Sequence, residues 1–270
     1  MLTKMKETAE FLKSAQDLNP KIGIILGTGL GGLVNEIDIK VSISYEDIPH
    51  FPVSTVEGHS GRLIFGTIKG KPIMAMQGRF HYYEGYSMQE VTFPVRVMNL
   101  LGITHLIVSN ATGGLNPDFK IGDIMAITDH LNMFGDNPLI GKNIDEMGPR
   151  FPDMSEPYDK KLVQLALEIA KEENIDLKQG VYAGTSGPTF ETPAEYKYFR
   201  IIGGDVVGMS TVPEVIVARH CGITCFGVSI ITDSGVPGEI VEISHEEVQV
   251  VAQQAEPKMT KIISELIDRM

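Results

Sequence analysis

Residues 181–235 read VYAGTSGPTFETPAEYKYFRIIGGDVVGMSTVPEVIVARHCGITCFGVSIITDSG, and their alternation decides the fold class. Val181 to Thr185, Asp205 to Val207 and Thr224 to Ile231 read as strands. Two helix starts lie between them. Each carries a hydroxyl residue three positions ahead of a Glu, Thr192 with Glu195 and Thr211 with Glu214, the pattern of a capping box. Pro193 falls at the favoured first helical position. A third pair of this kind, Ser244 with Glu247, opens a further helix. Strands alternating with helices predict an α/β fold with a mixed, mostly parallel central sheet flanked by helices.

The pattern extends toward the N-terminus. Residues 3–18 carry Phe11, Leu12, Ala15 and Leu18 at helical spacing. Ile22 to Leu26 is a short apolar strand. Leu63 to Ile68 and Pro72 to Met76, joined by Lys69-Gly70-Lys71, form a hairpin pattern. A helix is expected over 88–101 despite Pro94, then strands at His105 to Ser109 and Ile124 to Ile127, and a helix at about 158–173. Residues 130–157, rich in Gly, Pro, Asn and Asp, read as a long ordered excursion of the kind that carries function. No repeat or linker interrupts the chain, so one domain is expected over residues 1–270.

Bulk properties narrow the function classes. The 270-residue chain is 43% hydrophobic and carries a net charge of −12, which argues against nucleic acid or an acidic membrane as partner. A local nest of donors can still hold a small anion against that field. Cys221 and Cys225 lack metal-ligand spacing and read as reduced residues of a cytoplasmic protein. No apolar run approaches the roughly 18 residues that span a bilayer, and the N-terminus has no apolar signal segment.

Polar motifs fall where the expected strands end: GTGLGG (27–32), EGHSGR (57–62), GRFHYYEGY (78–86), SNATGGLNP (109–117), GPTFETPAE (187–195), GMSTVPE (208–214) and ITDSG (231–235). Open α/β sheets bind ligands at the carboxyl ends of strands, so these loops predict one composite site. Gly27, Gly29 and Gly32 also match G-x-G-x-x-G, with Glu46 and Asp47 at a distance suited to a ribose-binding carboxylate. A NAD-dependent oxidoreductase is therefore one reading. The other is an anion nest for a single phosphate, with Thr28 adding a hydroxyl. Val34, Ile37, Asp38 and Ile39 make a poor long helix after the loop, which favours the nest.

Taken in order, GTGLGGL, EGHSGRL, GRFHYYEGY, SNATGGLNP, GPTFETPAEY and VGMSTVPEVIVARHCG closely resemble the trimeric purine nucleoside phosphorylases, over roughly residues 20 to 255. The resemblance implies an α/β domain whose central sheet closes partly into a barrel, and a homotrimer. It also implies phosphorolysis of purine nucleosides to free base and ribose 1-phosphate, with phosphate as co-substrate and no metal or organic cofactor.

Carried onto this sequence, the resemblance assigns phosphate to Thr28, His59, Arg79, His81, the backbone at Ala111, and Ser210. Arg79 offers the planar fork that suits phosphate oxygens. Ribose falls to Tyr83, Met209 and His245, with His245 at the 5′-hydroxyl. The purine falls to Phe190, Glu191, Val207 and Asp233, with Glu191 accepting from N1–H. Asp233, His81 and Glu191 are the catalytic candidates. Phe151 matches an aromatic residue lent to the neighbouring subunit's site.

One position departs from the family. Its 6-oxopurine enzymes carry Asn where this chain has Asp233. Asn donates to O6 or N7, whereas an ionised Asp only accepts. Asp233 therefore suits a 6-amino group when ionised, and donates toward N7 when protonated. The related methylthioadenosine phosphorylases carry Asp in this region, but His245 argues for an ordinary 5′-hydroxyl. A nucleoside-binding protein without turnover is the remaining alternative.

Overall fold

The computed structural model describes residues 1–27, 31–53 and 60–270. In chain order its elements are α1 (Leu2–Ala15), β1 (Ile22–Leu26), β2 (Asp38–Ser44), β3 (Arg62–Ile68) and β4 (Lys71–Gln77). There follow α2 (Met88–Val91), α3 (Phe93–Leu100), β5 (His105–Gly114), β6 (Ile124–Asn132), α4 (Lys160–Glu172) and β7 (Leu177–Gly184). The chain continues through α5 (Pro193–Ile201), β8 (Val206–Gly208), α6 (Val212–His220), β9 (Thr224–Ser234) and α7 (His245–Arg269).

Among the described residues the strands form one sheet, ordered β2-β3-β4-β1-β5-β8-β7-β6-β9. β9 pairs again with β5, so β5, β8, β7, β6 and β9 close a mixed barrel. Five of the strand pairings are parallel and four antiparallel, a narrower parallel majority than expected. Both faces are covered. On β3, Leu63 and Phe65 join the core under α1, α3 and α6, while Ile64 faces the core under α4 and α7. This two-sided burial explains why β1, β3 and β4 read as unbroken apolar runs.

β5 creates the cleft. One edge pairs with β9 from His105 to Gly114. The other pairs with β1 at His105 to Val108 and with β8 only at Gly113 and Gly114. Between those contacts the sheet splits, and adjacent strands that diverge leave a crevice for a ligand. At the far end of β9, Thr112 pairs with Ile231 and Gly113 with Asp233, so Thr232 is an extra residue. Such a bulge re-aims the side chain that follows it, and that side chain is Asp233.

Several boundaries differ from the sequence expectation. α1 ends at Ala15, three residues early. The helix over 88–101 is two helices broken at Thr92, and Pro94 sits in the first turn of α3, where its missing N–H costs nothing. β2 was not expected, because most of its residues are exposed and offer no apolar face. The glycine loop leads into a short 3-10 helix (Gly31–Glu36) and antiparallel β2, not the long helix of a dinucleotide-binding unit. Gly27 is required for close approach, since a Cβ there would stand 2.7 Å from the Ser109 carbonyl oxygen. No helix among the described residues is long and apolar enough to cross a membrane.

Candidate active site

The crevice beside β5 holds a cleft of about 110 Å³. Arg79, His81, Ala111 and Ser210 line it, as do Tyr83, Met209 and His245, and so do Phe190, Glu191, Val207 and Asp233. These side chains come from five strand ends and the start of α7. Thr28 and His59 lie outside the described residues. Phe151 stands apart: it is 86% exposed, with the Arg150 guanidinium 5.6 Å from its ring centroid.

Arg79 follows the end of β4 and is 1% exposed. The Tyr45 hydroxyl donates to the Gly78 carbonyl at 2.8 Å and fixes the preceding backbone. Arg79 donates from Nε and Nη2 to the two carboxylate oxygens of Glu214, at 3.1 and 2.9 Å, and from Nη1 to the Ser109 carbonyl at 2.5 Å. The guanidinium plane is thereby locked at the split in the sheet.

This pairing overturns one sequence expectation. Thr211 and Glu214 do not form a capping box: Glu214 turns to Arg79, and Thr211 makes no cap bond. Instead Thr211 has φ 64° and ψ −53°, and the Val212 N–H donates to the Ser210 carbonyl at 2.7 Å. That is a γ-turn of the strained, positive-φ kind, and a β-branched residue there costs about 1–3 kcal/mol. The strain is held by Asn110, whose Nδ2 donates to Thr211 Oγ1 at 2.8 Å, and by Tyr182, whose hydroxyl accepts from the Ser210 N–H at 3.2 Å. Ser210 is thus placed by a tertiary network, not by a regular helix start.

His81 is 5% exposed. Its backbone N–H and its Nδ1 both meet Glu84 Oε1, at 2.7 and 2.9 Å, and its ring stacks on Tyr83 with centroids 4.7 Å apart. Burial holds the imidazole below its ordinary pKa although Glu84 opposes the shift. It is therefore neutral at pH 7, with the proton on Nδ1 facing the carboxylate. His245, at the first position of α7, has an Nε2 that is buried and has no hydrogen-bond partner among the described residues.

Two carboxyl groups form the acidic part of the cleft. Asp233 accepts from the Thr232 hydroxyl at 3.0 Å and from the Tyr196 hydroxyl at 3.3 Å. Glu191 accepts from the Thr185 hydroxyl at 3.3 Å. Burial pushes both pKa values up, that of Glu191 to about 7, where the charge of Asp233 adds to the shift. Sequence reading missed Tyr196, Glu214 and Asn110. Only the His81–Glu84 pair had a local signal, an acidic residue three positions beyond a histidine.

The sequence profile of the Phosphorylase superfamily matches residues 21–268. Purine nucleoside phosphorylase 1 of Bacillus subtilis (strain 168) is 52% identical over 267 residues, covering 99% of this chain and 98% of that protein. Purine nucleoside phosphorylase of Rattus norvegicus is 48% identical over 270 residues, covering 97% and 93%. Among solved structures, Schistosoma mansoni purine nucleoside phosphorylase in complex with adenosine superposes with a TM-score of 0.94 at 44% identity, covering 98% of this chain and 96% of that one. The same enzyme in complex with inosine gives 0.93 at 42%, covering 99% and 96%. With the closed barrel, the split at β5 and these likenesses together, the chain belongs to the purine nucleoside phosphorylases of the phosphorylase superfamily.

Proposed function

We propose that this protein is a pentosyltransferase that cleaves purine ribo- and deoxyribonucleosides with inorganic phosphate, releasing the base and the sugar 1-phosphate for salvage. The observation that carries this reading is the meeting, in one cleft, of a fixed arginine with hydroxyl and imidazole groups and of a buried carboxylate pair. The first set suits an anionic nucleophile, the second a hydrogen-bonding purine edge.

In this reading a phosphate oxygen attacks C1′ while the glycosidic C–N bond breaks, and the bond electrons leave with the purine. The transition state has oxocarbenium character, so positioning and electrostatics supply most of the rate. Arg79, His81, Ser210 and the Ala111 backbone hold the phosphate, joined by Thr28 and His59. Tyr83 and Met209 bracket the ribose, and the unpartnered Nε2 of His245 meets the 5′-hydroxyl. Phe190 and Val207 pack on the purine while Glu191 and Asp233 bind its edge. Hydrogenphosphate loses one proton on becoming the ester, and the leaving base gains one. Protonated Asp233 lowers the barrier by donating toward N7.

We assign phosphate as co-substrate and invoke no metal or organic cofactor. The exposed Phe151 fits a contact with a neighbouring subunit in a homotrimer, and the free thiols of Cys221 and Cys225 fit a cytoplasmic enzyme.

The test is phosphate-dependent release of base from inosine, guanosine, adenosine and methylthioadenosine, for the wild type and Asp233→Asn. Turnover of both inosine and adenosine is expected in the wild type. In Asp233→Asn the Thr232 hydroxyl keeps the amide oxygen, so Nδ2 takes the place of Oδ2 and an acceptor becomes a donor. Adenosine turnover should then fall about tenfold while inosine turnover rises. Inosine and guanosine turnover alone in the wild type would remove the 6-amino reading. A preference for methylthioadenosine would shift the assignment to that phosphorylase class.

A further inference from the structure

The sequence reads the glycine loop at 27–32 as an anion nest, and the structure shows what its far end holds: a carboxylate of the chain itself. Glu256, on α7, accepts from the Gly32 N–H through Oε1. The carboxylate lies directly against Gly32. A Cβ there would collide with it, and the three nearest atoms it would meet all belong to Glu256. At the near end, Gly27 is packed so closely that a Cβ would stand 2.7 Å from the Ser109 carbonyl oxygen and 3.1 Å from Arg79 Nη1. The described ends of the loop thus rest one beside the Arg79 guanidinium and the other on Glu256. Thr28, assigned to phosphate from the sequence, falls between them in the chain.

Packing alone does not call for a carboxylate at this place. Leu33 and Val34, which follow Gly32, already share an apolar core with Ala252, Ala255 and Met259 of α7. Glu256 is 9% exposed, and burying a carboxyl group is costly unless it is hydrogen-bonded. Burial pushes its pKa up, and backbone donors of the loop, not a cation, oppose the shift. An apolar residue would fill the space without that cost. What the carboxylate adds is direction, a fixed acceptor for one backbone N–H of the loop.

The helix that supplies Glu256 also reaches the cleft. α7 starts at His245, which lines the cleft beside Arg79. With about 3.6 residues to a turn, Glu256 lies about three turns beyond His245 and on the same face of α7. One face of one helix therefore meets the cleft at one point and the glycine loop at another.

We propose that Glu256 is a positioning residue for phosphate binding: its carboxylate serves the glycine loop as a built-in anion and fixes the far end of the loop on α7. The proposal rests on the purine nucleoside phosphorylase reading and deepens it. Glu256 touches no reacting atom in this account. It acts through Gly32, holding the loop whose other end packs beside Arg79.

The test is the phosphate dependence of initial rates, with inosine or adenosine saturating, in the wild type, Glu256→Ala, Glu256→Gln, Gly32→Ala and the double variant Gly32→Ala with Glu256→Ala. Glu256→Ala should raise the phosphate KM about tenfold, on the scale of one hydrogen bond to a charged group. The nucleoside KM should change by less than about twofold, since His245 keeps its place on α7. Glu256→Gln keeps an acceptor oxygen for the Gly32 N–H and should restore most of the loss. Gly32 has no positive φ, so its backbone accepts alanine. The new Cβ displaces the carboxylate, and Gly32→Ala should raise the phosphate KM as Glu256→Ala does. In the double variant the collision is gone, so its phosphate KM should match that of Glu256→Ala and not the product of the two single effects.

An unchanged phosphate KM in Glu256→Ala and Gly32→Ala, or equal changes in phosphate and nucleoside KM, would reduce Glu256 to packing and overturn the proposal. Independent, multiplying effects in the double variant would overturn it too. If Glu256→Ala fails to fold, Glu256→Gln and Gly32→Ala decide by the same phosphate KM. Phosphate-dependent turnover in the wild type with unaffected variants leaves the enzyme reading standing and removes this role of Glu256. No phosphate-dependent turnover in the wild type removes both.

Discussion

Glu214→Ala is expected to lower folding stability by roughly 3–5 kcal/mol, the usual cost of stranding one member of a buried ion pair. For a chain of this size that corresponds to a fall in Tm of very roughly 6–20 °C. Arg79 is 1% exposed and Glu214 3%, so neither charge has water to fall back on. The pair spends both carboxylate oxygens and two guanidinium nitrogens on each other. A second variant separates stability from function. Replacing both partners by apolar residues of similar size, Arg79→Met with Glu214→Leu, should recover most of the loss, because desolvating an ion pair roughly cancels its attraction. The double variant should nevertheless raise the phosphate KM by about 10- to 100-fold, the value of one charge-assisted hydrogen bond. Urea unfolding and phosphate titration together decide the matter. Full stability in Glu214→Ala would remove the pair's structural role, and an unchanged phosphate KM in the double variant would remove its role in holding phosphate. The pairing also bears on how the anion is held. On the proposed reading, with Arg79 matched by Glu214 and His81 neutral beside Glu84, the described residues would hold phosphate by directed donors rather than by net charge.

The sequence made much of this legible, for identifiable reasons. Strands buried on both faces leave unbroken apolar runs, and capped helices leave hydroxyl–Glu pairs. Thr192 with Glu195 and Ser244 with Glu247 are both capping boxes in the structure. Polar motifs at strand ends located the cleft, and their ordered resemblance supplied candidates that the fold brings together. What stayed hidden was tertiary. Thr211 and Glu214 have the same spacing as a true capping box, and only the partner 135 residues away shows that Glu214 belongs to Arg79. Tyr196 sits in a helix where an aromatic residue reads as core, and its partner Asp233 lies 37 residues further on. The bulge at Thr232 that turns Asp233 into the cleft has no local sequence mark. β2 escaped because a strand at the sheet edge, largely exposed, shows no alternation.

Glu191→Gln should stabilise the unliganded protein at pH 8 while reducing inosine kcat/KM about 100-fold, since hydrogen bonds to charged groups are the stronger kind. The sign follows from the shift. Burial, reinforced by Asp233, raises the Glu191 pKa from its ordinary 4.5 to about 7. The folded state therefore holds its proton more tightly than the unfolded chain. That contribution is fully present below pH 4.5, declines as the pH rises, and is lost once the pH passes about 7. Between those limits it amounts to roughly 3 kcal/mol at most. A glutamine has no proton to lose, so its gain should appear at pH 8 and vanish at pH 5. Guanosine should suffer more than inosine, because its N1–H and 2-amino group both need acceptors and glutamine presents only one. Equal stability of the variant and the wild type at both pH values would mean that Glu191 is not held against its ionisation. Stability gained where activity is lost, with that pH dependence, marks a carboxylate kept buried for the substrate rather than for the fold.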